Sequence, residues 1–97
     1  MREQRRVRVA VIGCGLIARR SHLPAYVAAS EAELAAVVSR HRETAEAVAG
    51  EFGNPHVFDS WQEAVDAPDI DAIDICTPNA LHASIAIAAA KAGNTCL

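Results

Sequence analysis

Gly13, Gly15 and Ala18 stand at the spacing Gly-x-Gly-x-x-Ala, directly after the apolar run Val9-Ala10-Val11-Ile12. A chain that leaves a strand through such a turn and enters a helix is built to receive a pyrophosphate. Gly13 permits the tight turn, Gly15 removes a side chain where phosphates must approach, and Ala18 is small enough for close packing of helix on sheet. The helix start then offers unpaired N–H groups and the positive end of its dipole to the anion. Three small residues at this spacing are a weak signal alone. The strand before them gives the signal its weight and favours dinucleotide binding over a purely structural turn.

The elements that must hold this turn alternate in type. Val7 to Ile12 reads as a strand, Ile17 to Ala29 as a helix broken near Pro24, Leu34 to Val38 as a strand and Glu43 to Phe52 as a helix. That second helix carries Ala45, Val48, Ala49 and Phe52 on one stripe and is stopped by Gly53 and Pro55. Val57-Phe58 is a short third strand. Ser60-Trp61-Gln62-Glu63 is a capping box that opens a helix to about Val65, with Trp61 as a packing residue. Ala72 to Cys76 is the fourth strand. Asn79 is placed to cap a long helix with the stripe Leu81, Ile85, Ala88, Ala89 and Ala92, closed by Gly93, and Thr95-Cys96-Leu97 begins a fifth strand. Such alternation predicts an α/β, Rossmann-like parallel sheet of order 3-2-1-4-5, cut short at its fifth strand.

Composition narrows the class. A chain of 97 residues holds one domain at most, and 52% hydrophobic content argues against disorder. A net charge of −3 gives no general attraction to nucleic acid or to a membrane, and Arg2, Arg5, Arg6 and Arg8 read as a solvated lead into the first strand. The longest apolar stretches fall far short of the ~20 residues of a membrane helix, and no secretion signal is recognisable. The expected location is the cytoplasm. Cys14, Cys76 and Cys96 are odd in number and form no C-x-x-C pair, so reduced thiols are expected rather than a metal site or a disulfide.

The order of motifs is more specific than any one of them. Gly-x-Gly-x-x-Ala is followed by Ser21-His22-Leu23-Pro24-Ala25, by Asp71-Ala72-Ile73-Asp74, by Thr77-Pro78-Asn79 with His82 three residues on, and by Lys91-Ala92-Gly93. With this order the chain resembles the glucose-fructose oxidoreductase and inositol dehydrogenase family (Gfo/Idh/MocA) over nearly its whole length. The resemblance implies that residues 1–97 are an incomplete dinucleotide-binding domain. A carboxy-terminal domain would supply the substrate pocket and the subunit contacts of a homo-oligomer. The family's Glu-Lys-Pro segment would follow Leu97, and its catalytic histidine comes from the second domain, so no catalytic residue is assigned here, neither His22 nor His82.

Residue by residue, the resemblance implies that Gly13, Cys14, Gly15, Leu16 and Ile17 form the phosphate loop, binding mostly through backbone groups. Cys76, Thr77, Pro78 and Asn79 match the turn that lies along the cofactor where strand order reverses. His82 belongs to the same motif, either ordering the turn or touching the cofactor. Asp71 and Asp74 fit the family's structural pattern rather than a catalytic or metal-binding pair. Ser39-Arg40 is a departure, because an acid at the end of the second strand would accept hydrogen bonds from the adenosine ribose and none stands there. The guanidinium suits a 2′-phosphate, and Ser39 adds a neutral donor, which favours NADP over NAD. His41 and Arg42 either extend this basic pocket or are solvated residues at a helix start.

The function implied is hydride transfer between a nicotinamide and a carbon of a sugar, a cyclitol or a related small molecule. These residues alone are expected to be inactive. A dinucleotide-binding or regulatory module without chemistry is the alternative, and a structural subunit pairing through its sheet edge is a third.

Overall fold

The protein is seen in a computed structural model that describes residues 6–13, 15, 21–77 and 79–96, with Asn79 described through its backbone only. Nine elements alternate among the described residues: β1 (Val7–Ile12), α1 (Leu23–Ala28), β2 (Ala32–Val38), α2 (Arg42–Glu51), β3 (His56–Phe58), α3 (Trp61–Asp66), β4 (Ala72–Ile75), α4 (Asn79–Lys91) and β5 (Thr95–Cys96). The strands form one parallel sheet in the order β3-β2-β1-β4-β5, the order expected from the alternation.

Side chains leave successive strand residues on opposite faces, so each strand serves two layers. Val9 and Val11 of β1 and Ala72 of β4 join Leu23 of α1 and Ala45, Val48 and Ala49 of α2. Ala10, Ile12, Ile73 and Ile75 point the other way, onto Ala64 and Val65 of α3 and Ile85 and Ala89 of α4. Each large aliphatic side chain taken from water here contributes about 1.5–3 kcal/mol. The alternation also decides that Asp74, one residue from Ile73 and one from Ile75, faces the layer of α1 and α2.

Several boundaries differ from the sequence reading. Strand β2 starts at Ala32 rather than Leu34. Val9 pairs with Leu34 and Ala10 with Ala36, which leaves Ala35 as an extra residue in the ladder and turns both Ala35 and Ala36 to the same layer. Such a bulge breaks the period of two that marks a strand. The helix expected over residues 17–29 is present, within the described residues, as the six residues of α1, with Pro24 in the first turn rather than at a break. A proline there removes no hydrogen bond that the helix would otherwise make. In α4 the expected stripe is narrower: Ile85 and Ala89 are buried and Ala88 half-buried, whereas Leu81 and Ala92 are exposed. Leu81 stands in the first turn of α4 and is 46% exposed.

Stop and start chemistry follows the sequence. Ser60 Oγ accepts from the Glu63 N–H at 3.2 Å and Glu63 Oε1 accepts from the Ser60 N–H at 3.2 Å, which closes the capping box. Gly53 takes a φ of 87° after α2, and the next N–H, of Asn54, returns to the Ala49 carbonyl at 2.8 Å. At the opposite end of the sheet from the glycine turn, Asp71 pins the start of β4 to β1. Its N–H donates to the Arg8 carbonyl at 2.8 Å and its carboxylate accepts from the Arg8 N–H at 2.8 Å.

Candidate dinucleotide-binding site

Gly13 is the first residue beyond β1, at the place where strand order reverses. It has a φ of 98°, and its N–H donates to the Val38 carbonyl at the end of β2 at 2.7 Å. On its other side lies the end of β4. A Cβ on Gly13 would stand 2.8 Å from both C and O of Cys76 and 3.1 Å from the Thr77 nitrogen. The Cys76 N–H in turn donates to the Ile12 carbonyl at 2.8 Å, carrying the β1–β4 ladder one residue past the strand. Gly13 is thus fixed by two neighbours at once, one conformational and one steric. Gly15 differs: it is exposed, and a Cβ there would meet nothing within 4 Å among the described residues. The space over Gly15 is open to a ligand, whereas the space at Gly13 is filled by the protein's own backbone.

The expected site residues fall into three groups. Gly13, Cys76 and Thr77 are brought together at the β1–β4 crevice, and Gly15 is exposed two residues on. Ser39 and Arg40 follow Val38, the residue whose carbonyl holds Gly13, and so form the neighbouring rim at the end of β2. His82 lies on α4, exposed and with no hydrogen-bond partner among the described residues. Cys14, Leu16, Ile17 and Pro78 lie outside the described residues, as does the side chain of Asn79.

The fit to a ligand rests on a polar atom. Thr77 Oγ1 is buried and has no hydrogen-bond partner among the described residues. A buried hydroxyl without a partner is costly, and such groups in folded proteins usually have a ligand, an ion or water to answer them. Thr77 stands beside the glycine turn, where a dinucleotide's ribose or phosphate oxygens would answer it.

Beneath the turn lies a polar cluster that sequence reasoning did not assemble. Asp74 is buried, and its Oδ2 is 2.7 Å from His22 Nδ1 and accepts the Tyr26 hydroxyl at 2.7 Å. Cys76 Sγ lies 3.7 Å from Asp74 Oδ1. Burial of the phenol, then its hydrogen bond to Asp74 and the charge of that carboxylate, hold Tyr26 well above its ordinary pKa of 10.0. His22 and Tyr26 are four residues apart and face the same way from the helical segment, so one carboxylate on β4 clamps α1 to the sheet. The ligating atoms of His22, Asp74 and Cys76 lie within 4.8 Å of one another, and the hydrogen bonds among the four side chains account for that closeness. The signal was present as an acid inside the apolar strand Ala72-Ile73-Asp74-Ile75, where an unpaired carboxylate would be untenable.

A groove of about 770 Å³ lies elsewhere, at the opposite end of the strands between α3 and β2–β3. It is lined by Arg8, Ala36, His56, Glu63 and Asp69, and neither Gly13 nor Gly15 lines it.

Comparison with known proteins decides the family. The sequence model of the Gfo/Idh/MocA oxidoreductase family, NAD-binding Rossmann fold, matches residues 7–97. The chain belongs to this family. It is 34% identical over 87 residues to D-glucoside 3-dehydrogenase of Escherichia coli (strain K12), covering 90% of this chain and 25% of that protein. It is 41% identical over 83 residues to D-xylose 1-dehydrogenase (NADP(+)) 2 of Haloferax volcanii, covering 86% of this chain and 25% of that protein. The crystal structure of KijD10, a 3-ketoreductase from Actinomadura kijaniata in complex with NADP and TDP-benzene, superposes with a TM-score of 0.91 at 32% identity, covering 96% of this chain and 28% of that one. The chain therefore spans about a quarter of the length of these Gfo/Idh/MocA relatives. The part it spans is the one that the family's NAD-binding Rossmann fold describes. Among the described residues, no helix is long and apolar enough to cross a membrane.

Proposed function

We propose that this domain binds NADP in preference to NAD and serves an oxidoreductase acting on a carbon of a sugar, a cyclitol or a related small molecule. The observation that carries the cofactor preference is Ser39-Arg40 at the end of β2. No carboxylate occupies either position, and Arg40 is exposed and has no ion-pair partner among the described residues. Its guanidinium is available for paired, charge-assisted bonds to a 2′-phosphate. Two relatives support the reading, since one is named for NADP(+) and another was crystallised with NADP. The substrate class rests on relatives named for a glucoside and for xylose.

A bound nicotinamide supplies the hydride acceptor or donor. The residues of this chain hold the dinucleotide. Gly13, Cys14, Gly15, Leu16 and Ile17 would cradle the pyrophosphate through the backbone, and Cys76, Thr77, Pro78 and Asn79 would line the crevice, with the Thr77 hydroxyl donating to or accepting from the cofactor. His82 stands exposed on α4, beyond that turn. In this reading proton transfer and substrate binding come from polypeptide outside these 97 residues, so the domain positions the reaction and does not complete it.

Calorimetric titration with NADP+ and NAD+ tests the preference. The expected result is tighter binding of NADP+, with Arg40→Asp reversing the order because a carboxylate repels the 2′-phosphate and accepts from a ribose hydroxyl. Equal affinities in the unaltered protein would refute the assignment.

A further inference from the structure

Two arginines, Arg40 and Arg42, stand two residues apart at the rim that would meet the adenosine end of the cofactor, and the structure treats them differently. Arg42 opens α2. Its Nε donates to Glu46 Oε2 at 2.9 Å, one helical turn along, and its Nη1 donates to Asp59 Oδ1. Arg40 has neither kind of partner among the described residues.

The position of Asp59 follows from the sheet register. Val38 pairs with Phe58 in the parallel β2–β3 ladder, so the residues that follow them, Ser39 and Asp59, leave adjacent strand ends. Asp59 is also held in place: its backbone N–H donates to Glu63 Oε1 at 2.9 Å, the same oxygen that closes the capping box of α3. A carboxylate is therefore stationed beside the very position where an acid was missed in β2, and it arrives from the next strand with a guanidinium already bound to it.

We infer that Asp59 sets the strength of NADP discrimination by sequestering Arg42, so that Arg40 alone answers the 2′-phosphate. This rests on the NADP reading given above. An acid at the end of β2 would compete for the ribose directly and turn preference toward NAD. Asp59 acts indirectly, because each bond that Arg42 makes to Asp59 must be given up before Arg42 turns to a ligand. Both partners of the pair are more than half exposed, with side-chain exposures of 51% and 67%, so the restraint is modest and reversible. Its expected effect is accordingly a tuning of preference rather than a switch.

The test measures dissociation constants of NADP+ and NAD+ for the intact protein and for Asp59→Asn, Arg42→Gln, the double variant and Arg40→Ala, with thermal melting of each as a folding control. Asparagine is nearly isosteric with aspartate, and the backbone bond of residue 59 to Glu63 survives the change. Asp59→Asn is expected to tighten NADP+ binding about two- to five-fold, the range set by an exposed ion pair, and to leave NAD+ unchanged. That gain should vanish in the double variant. Arg42→Gln alone should leave the preference as it is, while Arg40→Ala should weaken NADP+ binding about ten- to a hundredfold. If Asp59→Asn gives no gain, or the gain persists without Arg42, the inference is wrong while a collapse in Arg40→Ala keeps the NADP reading. If Arg40→Ala leaves the preference intact, the reading and the inference fall together. Glu46→Gln is a second route to the same release, and it should shift NADP+ affinity in the same direction by less than Asp59→Asn.

Discussion

The crevice between β1 and β4 and the rim at the ends of β2 and β3 are neighbours, joined through the bond from the Gly13 N–H to the Val38 carbonyl, yet they are built of different materials. The crevice is defined by shape and burial: a glycine with no room for a Cβ, a hydroxyl with no partner among the described residues, a carboxylate under the floor holding two side chains. The rim is defined by exposed charge, with Arg40 free among the described residues and Arg42 tied to Glu46 and Asp59. Shape-defined parts fail by damaging the fold or excluding every ligand alike. Charge-defined parts fail by confusing one ligand with another, and salt screens them.

The sharpest way to break this contrast uses the two glycines of one motif. Gly13→Ala combines an unfavourable positive φ with a methyl group driven 2.8 Å from Cys76 backbone atoms, and should destabilise the protein by about 2–4 kcal/mol and abolish binding of both cofactors. At Gly15 an added Cβ meets nothing within 4 Å among the described residues, so for Gly15→Val circular dichroism and melting should match the unaltered protein while calorimetry shows both cofactors lost. A Gly15→Val protein that binds normally would mean that no phosphate approaches there.

Next in size is Asp74→Ala. It strips the Tyr26 hydroxyl and His22 of their shared acceptor and should cost about 2–3 kcal/mol in denaturant unfolding. Tyr26 is the single tyrosine, so its ionisation can be followed by absorbance. Its folded pKa lies above the unfolded value of about 10. The contribution of the protonated phenol is therefore fully present below pH 10 and lost as pH rises through the folded value. Tyrosine absorbance in the folded protein should accordingly lag that of a denatured control above pH 10, and the lag should shrink in Asp74→Asn.

Thr77→Val gives the smallest effect and the most diagnostic one. Removing a buried hydroxyl that has no partner among the described residues should leave the melting temperature unchanged or raise it slightly, whereas cofactor affinity should fall about two- to tenfold. Loss of stability together with loss of binding would mean that the hydroxyl already serves the fold.

These contrasts also mark what the sequence made legible. The alternation of strands and helices, the stops at Gly53 and Gly93, the Ser60–Glu63 box and the placing of Gly13 at the strand end are local, and local chemistry announces them. What stayed hidden depends on pairing across the chain. Asp74 is 52 residues from His22 and 48 from Tyr26, so only the folded sheet shows that they meet. Asp59 could not be linked to Arg42 before the register of β2 with β3 was known. The bulge at Ala35 blurred the strand period and moved the start of β2. The two glycines looked alike in sequence because the atoms that distinguish them belong to Cys76 and Thr77.

The seam sealed by Asp71 has a consequence for how this molecule is assembled. Arg8 and Asp71 are 63 residues apart in sequence. Strand β1 can meet β2 early, across a short connection, but it meets β4 only after most of the chain has been gathered, against a closure entropy that grows with the logarithm of loop length. The crevice that would take the dinucleotide is the upper lip of that same seam. A ligand seated there would touch both banks of the longest closure in the β1-centred sheet, and so act as a reversible cross-link between the early and late halves of the fold. Its concentration would then set how often the two halves part, and the most central strand would owe part of its permanence to a molecule that is not polypeptide.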